Sequence, residues 1–150
     1  MLQLMVVSYL QQRFREDSNA RRPFVPNLGA LLLEFFGLYG GDINVVTTGI
    51  SVLNDGSYFP KGDHTRADDY WSGNRQFQLA IENPLEPGVD VGKSSFKVGL
   101  VCRSFSYAHK VLLSRVSEPR AGGGVSVLQG IISMTRSEWK ASKRKARGLK

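Results

Sequence analysis

The chain is poor in the residue types that build self-contained reactive centres. Cys102 is the single cysteine in 150 residues. That excludes an intramolecular disulfide and a cysteine-built zinc cluster, and it suits a reducing compartment. Histidine occurs twice, at His64 and His109. Neither has a Glu or His at metal-ligand spacing on a shared helix face, so both read as surface or satisfied-core residues. No apolar run reaches the ~18–20 residues that span a bilayer; the longest candidate, Leu28–Tyr39, is interrupted by Glu34. Met1–Leu10 lacks a basic start and a small-residue cleavage site, which argues against a secretory signal. Asp68–Asp69 is an acidic pair, but adjacent strand residues face opposite ways, and two-metal chemistry needs carboxylates that converge. Gly122-Gly123-Gly124 lacks the Lys-Ser/Thr of a phosphate loop and reads as a connector.

What is present is a neutral body with a cationic end. The net charge is +7. From Arg136 onward, seven basic residues stand against Glu138 alone, so that segment carries +6 and everything before it only +1. Lys140, Lys143, Arg144, Lys145 and Arg147 form the densest stretch, suited to RNA contact or nuclear import; a solvated helix end is the plain alternative. Apolar residues make up 41% of the chain, enough for one packed core.

The pattern predicts an α+β fold, mainly helical, with a small β-hairpin. Leu2, Met5, Val6, Tyr9 and Leu10 fall at helical spacing, and the helix reaches full strength at once, as if its first turns lay further upstream. Arg15–Pro26 reads as a loop. Asn27 is placed to cap a helix over Leu28–Tyr39, apolar almost all round and so expected to be buried, with Gly40–Gly41 as its stop. Ile43–Ser51 and Ser57–Phe59 flank Asn54-Asp55-Gly56, a hairpin signal. Phe77–Ile81 is a short apolar run. A helix is expected from near Phe96 to Leu113, capped by Ser94 or Ser95, and a short one within Val125–Met134. The expected divisions are 1–116, a connector with a short helix over 117–134, and a basic tail over 135–150.

Between the apolar run and the Phe96 helix lies Ile81–Ser95, with two Pro and two Gly among Glu82, Asn83, Glu86, Asp90 and Lys93. Carboxylates and amides can accept hydrogen bonds from the exocyclic amino group of a base, and serines at a helix start can hold phosphate or ribose. A plain structural loop fits these residues too.

A resemblance adds to this reading. "NLGALLLEFFGLYG" (Asn27–Gly40), "TTGISVLNDGSYFPK" (Thr47–Lys61), "AIENPLEPGVDVGKSSF" (Ala80–Phe96) and "FSYAHKVL" (Phe105–Leu112) resemble, in order, the central or poly(A) polymerase-associated domain of the nuclear TRAMP-type terminal nucleotidyltransferases. "MVVSYLQ" (Met5–Gln11) resembles the helix after that family's Ser-Tyr pair. The resemblance implies an RNA 3′-terminal nucleotidyltransferase of the DNA polymerase beta-like fold, which adds AMP from ATP to RNA 3′ ends. It implies Mg2+ or Mn2+ held by three carboxylates of a catalytic domain upstream of Met1, a nuclear location, and RNA helicase and zinc-knuckle partners. It assigns no catalytic residue and no metal ligand to this chain, which alone is expected to be inactive. It places nucleotide binding at Asn83, Glu86, Val89, Asp90, Gly92 and Lys93. Asn83 stands where the family has Asp, Val89 where it has Asn, and Lys93 where it has Arg. A charge, a hydrogen-bonding group and a bidentate fork are thereby lost, so adenine selectivity does not carry over with the motif. A non-catalytic RNA- or protein-binding module and a degenerate truncated copy are the alternatives.

Overall fold

A computed structural model describes residues 1–19, 27–61, 77–117 and 127–132. In chain order the elements are α1 (Leu2–Asn19), α2 (Leu28–Gly37), a π-helical turn (Leu38–Asp42), β1 (Thr48–Ser51), β2 (Ser57–Pro60), β3 (Ala80–Ile81), α3 (Val98–Ser117) and α4 (Gln129–Ile132). This is the mainly helical α+β arrangement expected. Among the described residues no helix is long and apolar enough to cross a membrane.

The Asn27 side chain accepts from the Gly29 and Ala30 amides at 3.0 and 3.2 Å, which starts α2 where its capping chemistry predicts. The stop differs. Helical winding passes through Gly40–Gly41 and widens into the π turn, closed by Ile43 N–H donating to the Leu38 carbonyl at 2.9 Å. The reason is packing. A Cβ on Gly40 would lie 2.5 Å from the Ser106 amide nitrogen, so this glycine admits α3 rather than ending α2. Nor is α2 enclosed: Phe35 is its one buried residue, and Leu28 is 81% exposed. An apolar circumference is necessary for a fully buried helix but does not supply the neighbours to bury it.

Phe35 organises the core. Its ring meets those of Tyr9, Tyr39 and Phe105 at centroid separations of 5.8, 4.9 and 5.5 Å. Edge and tilted pairs like these add about 0.5–1.5 kcal/mol each beyond the area they bury. Met5, Ile50, Leu79, Ile81 and Val98 complete the cluster, which therefore draws on α1, the sheet and α3. Tyr39 is fully buried, and its hydroxyl donates to the Met5 carbonyl at 2.9 Å. Burial pushes that phenol far above its usual range.

The hairpin forms as expected, with Ser51 opposite Ser57 and a turn in which Asn54, Asp55 and Gly56 all take positive φ (49, 64 and 81°). The sheet has a third strand that the sequence reading did not assign. β3 pairs parallel to β1, Gly49 with Ala80 and Ile50 with Ile81, giving the order β2-β1-β3. The missing side chain of Gly49 lets the Phe59 ring lie across β1, where it shares a small core with Ala80.

Other boundaries moved. Residues 15–19, read as loop, continue α1, and α3 starts at Val98 and runs to Ser117. Residues 20–26, 62–76, 118–126 and 133–150 lie outside the described residues. His64, Asp68–Asp69, Gly122–Gly124 and the basic positions Lys140, Lys143, Arg144, Lys145 and Arg147 fall there.

Candidate functional site

The Ile81–Ser95 loop leaves the sheet from its edge strand, β3. Glu82 N–H still donates to the Ile50 carbonyl at 2.9 Å, carrying the β1 ladder one residue past β3. The chain then turns on its own side chains. Asn83 Oδ1 accepts from the Leu85 amide at 3.0 Å, an Asx turn. Glu82 Oε1 accepts from the Gly88 amide at 3.3 Å, where Gly88 takes φ 89°. The Asn83 amide donates to the Val89 carbonyl at 2.7 Å, the Val89 amide to the Glu86 carbonyl at 3.1 Å, and the Val91 amide to the Ile81 carbonyl at 2.9 Å. Glu82 and Asp90 thus face each other across a narrow neck.

Asp90 is the hub of that neck. Its side chain is nearly enclosed, the residue being 5% exposed. Oδ1 accepts from the Ile81 amide at 3.1 Å and the Gly92 amide at 2.6 Å, holding both limbs of the loop. Charge-assisted bonds of this kind are about twice as strong as neutral ones. Gly92 is pressed against the strand entry: a Cβ there would fall 1.7 Å from the Leu79 carbonyl oxygen. Ser95 is buried, and its hydroxyl accepts from the Leu79 amide at 2.7 Å and donates to the Leu79 carbonyl at 3.4 Å. The expectation that Ser95 caps α3 or holds phosphate is therefore corrected, because that hydroxyl is spent inside the fold.

The six residues singled out in this loop lie within one continuous structure, in two kinds of place. Asp90 and Gly92 are inside the neck. Glu86 and Lys93 are exposed, and Asn83 and Val89 are half-buried. Pro84, Leu85 and Pro87 complete the outer arc, with Leu85 89% exposed.

Beneath the neck lies Lys61, the last residue of the hairpin segment Thr47–Lys61, to which the resemblance assigns no role. Its Nζ donates to the Gln78 carbonyl at 2.7 Å and the Val45 carbonyl at 2.9 Å. Burial lowers its pKa from the ordinary lysine value, opposed by the nearby Asp90 carboxylate. On α3, burial pushes the half-buried Cys102 thiol up, which fits an inert packing residue.

A cavity of about 470 Å³ opens elsewhere, among α1, the α2–π turn segment, Tyr58 of β2 and His109 of α3. On its wall the Tyr9 hydroxyl donates to Glu34 at 2.8 Å, and Arg13 pairs with the same carboxylate oxygen at 3.1 Å. Both charged side chains are substantially exposed, so the ion pair contributes at most about 1 kcal/mol. Sequence spacing gave no sign of this cavity, since its wall comes from four elements far apart in the chain. Among the described residues no three His, Cys, Asp or Glu side chains gather to hold a metal ion. The Mg2+ or Mn2+ that the resemblance implies has no fit in this part of the chain.

Comparison with known proteins agrees with the sequence resemblance. Residues 27–88 match the family model described as Cid1 family poly A polymerase. The chain is 34% identical over 114 residues to "Poly(A) RNA polymerase CID14" of Cryptococcus neoformans, covering 76% of this chain and 14% of that protein. It is 33% identical over 138 residues to "Inactive non-canonical poly(A) RNA polymerase protein Trf4-2" of Drosophila melanogaster, covering 91% of this chain and 32% of that one. Among solved structures, the polymerase core of TRAMP, an RNA surveillance complex, superposes with a TM-score of 0.71 at 27% identity, over 87% of this chain and 41% of that one. The chain thus spans less than half the length of each of these relatives.

Proposed function

As a member of the noncanonical poly(A) polymerase family, this chain carries the poly(A) polymerase-associated region, and we propose that it supplies the base-recognising face of an RNA 3′-terminal nucleotidyltransferase. The observation that carries this reading is the division of the Ile81–Ser95 loop: a neck closed by Asp90 and an outer arc left facing outward.

In this reading Glu86 accepts from the exocyclic amino group of the base, and Asn83, its Oδ1 already taken by Leu85, offers its amide N–H. Val89 covers the base without reading it, and Lys93 meets phosphate as a point charge. Asp90 and Gly92 act by holding the loop in shape. ATP is the donor and an RNA 3′ end the acceptor. The RNA 3′ hydroxyl attacks the α-phosphate of ATP and pyrophosphate leaves; a catalytic domain of the kind the resemblance implies would hold the Mg2+ or Mn2+ that supplies charge stabilisation there. A nuclear location and helicase and zinc-knuckle partners follow from the same family likeness. The basic residues Lys140, Lys143, Arg144, Lys145 and Arg147 would strengthen RNA contact, with the steep salt dependence of phosphate binding.

Titration of the full chain with ATP, GTP and UTP tests the loop. Binding should fall about tenfold in Glu86→Gln, the loss of roughly one charge-assisted hydrogen bond, and ATP should be preferred over GTP by less than about tenfold. Unchanged affinity in the double variant Glu86→Ala/Lys93→Ala would overturn the assignment. The chain alone should not extend an RNA primer, and metal-dependent tailing by pure protein would contradict that.

A non-catalytic binding role is the second reading. It is favoured by one observation: a relative aligning with 91% of this chain bears the name of an inactive polymerase. RNA binding without nucleotide binding would select it.

A further inference from the structure

β3 has two residues, and a parallel pair that short has little ladder to hold it. Parallel strands also bond less favourably per residue than antiparallel ones. Yet the whole recognition loop is hung from β3, since Asp90 grips Ile81 and Ser95 grips Leu79. Something beyond the ladder must fix where β3 starts.

Lys61 stands at that place. Its backbone N–H donates to the Thr47 carbonyl at 2.8 Å, so its main chain is tied to the antiparallel hairpin, the strongest part of the sheet. Its ammonium reaches back to two carbonyls, Val45 ahead of β1 and Gln78 ahead of β3. One cation therefore bridges the entries of the two parallel strands. The Asp90 carboxylate lies close enough to act on it electrostatically, so the same charge supports the acceptor that closes the neck. A compact ammonium with three donors suits two carbonyls on one side and a carboxylate field on the other.

We infer that Lys61 is the positioning residue of the recognition loop, setting the start of β3 and the register of the loop's neck without itself touching the nucleotide. The inference rests on the proposed nucleotide role only for its second readout.

The test uses the full chain and hydrogen exchange at the amides of Ile81, Glu82, Val91 and Gly92. Lys61→Met, Lys61→Arg and the remote core control Leu112→Ala are compared with the parent at equal global stability, set with denaturant. Lys61→Met should raise exchange at these four amides at least tenfold over Leu112→Ala, and Lys61→Arg should restore most of it. ATP affinity should fall at least fivefold in Lys61→Met and recover in Lys61→Arg. If Lys61→Met does not fold, Lys61→Gln, which keeps amide donors on a shorter stem, should give the same localised increase. Exchange no faster than in Leu112→Ala overturns the inference, whatever ATP does. Faster loop exchange in a chain whose parent binds no ATP upholds Lys61 as the positioning residue and removes the nucleotide reading instead.

Discussion

The neck of the Ile81–Ser95 loop and its outer arc are a few residues apart and obey different rules. In the neck, Asp90, Gly92 and Ser95 are buried and engaged with the backbone around Leu79 and Ile81. In the arc, Leu85 and Glu86 project outward, and side-chain bonds there serve the turn itself. Titratable side chains in a loop invite a chemical role, yet burial decides which can take one. Asp90 and Glu86 are both carboxylates of this loop, and the fold uses Asp90 to close the neck. Glu86 is the one left facing outward.

Substitutions break this contrast in descending order. Gly92→Ala should be the most damaging, because its methyl would overlap the Leu79 carbonyl; a loss of about 3 kcal/mol or more in urea unfolding is expected. Asp90→Ala should cost about 2–3 kcal/mol by leaving two amides without their charged acceptor. Ser95→Ala should cost about 1 kcal/mol in the same assay, the ordinary net value of a hydrogen bond. Glu86→Gln should move stability by less than about 0.5 kcal/mol while weakening nucleotide binding. An arc substitution as destabilising as Ser95→Ala would dissolve the distinction.

Much of the architecture was readable from local signals. Asn27 marked the start of α2, helical spacing marked α1 and α3, and the left-handed turn at Asn54-Asp55-Gly56 marked the hairpin. These depend on neighbours within a few residues. What escaped depends on distant ones. β3 is too short to show a period and exists through Ile50 and Glu82, 32 positions apart. Gly40 resembled a helix stop, and the α3 backbone at Phe105 and Ser106 explains its lack of a side chain. Within the loop, composition marked the segment but could not divide it, because Asp90's partners at Ile81 and Gly92 are set by tertiary closure. Lys61 ends the hairpin segment that carries the resemblance but has no role assigned there, and its value lies in the two carbonyls it joins.

The most direct test follows backbone amide resonances of the full chain while ATP is added. The account predicts dose-dependent shifts concentrated at Asn83, Leu85, Glu86, Val89 and Lys93, with the cavity at Tyr9, Arg13 and His109 unmoved. Shifts confined to that cavity, or none in the loop at saturating ATP, would contradict it.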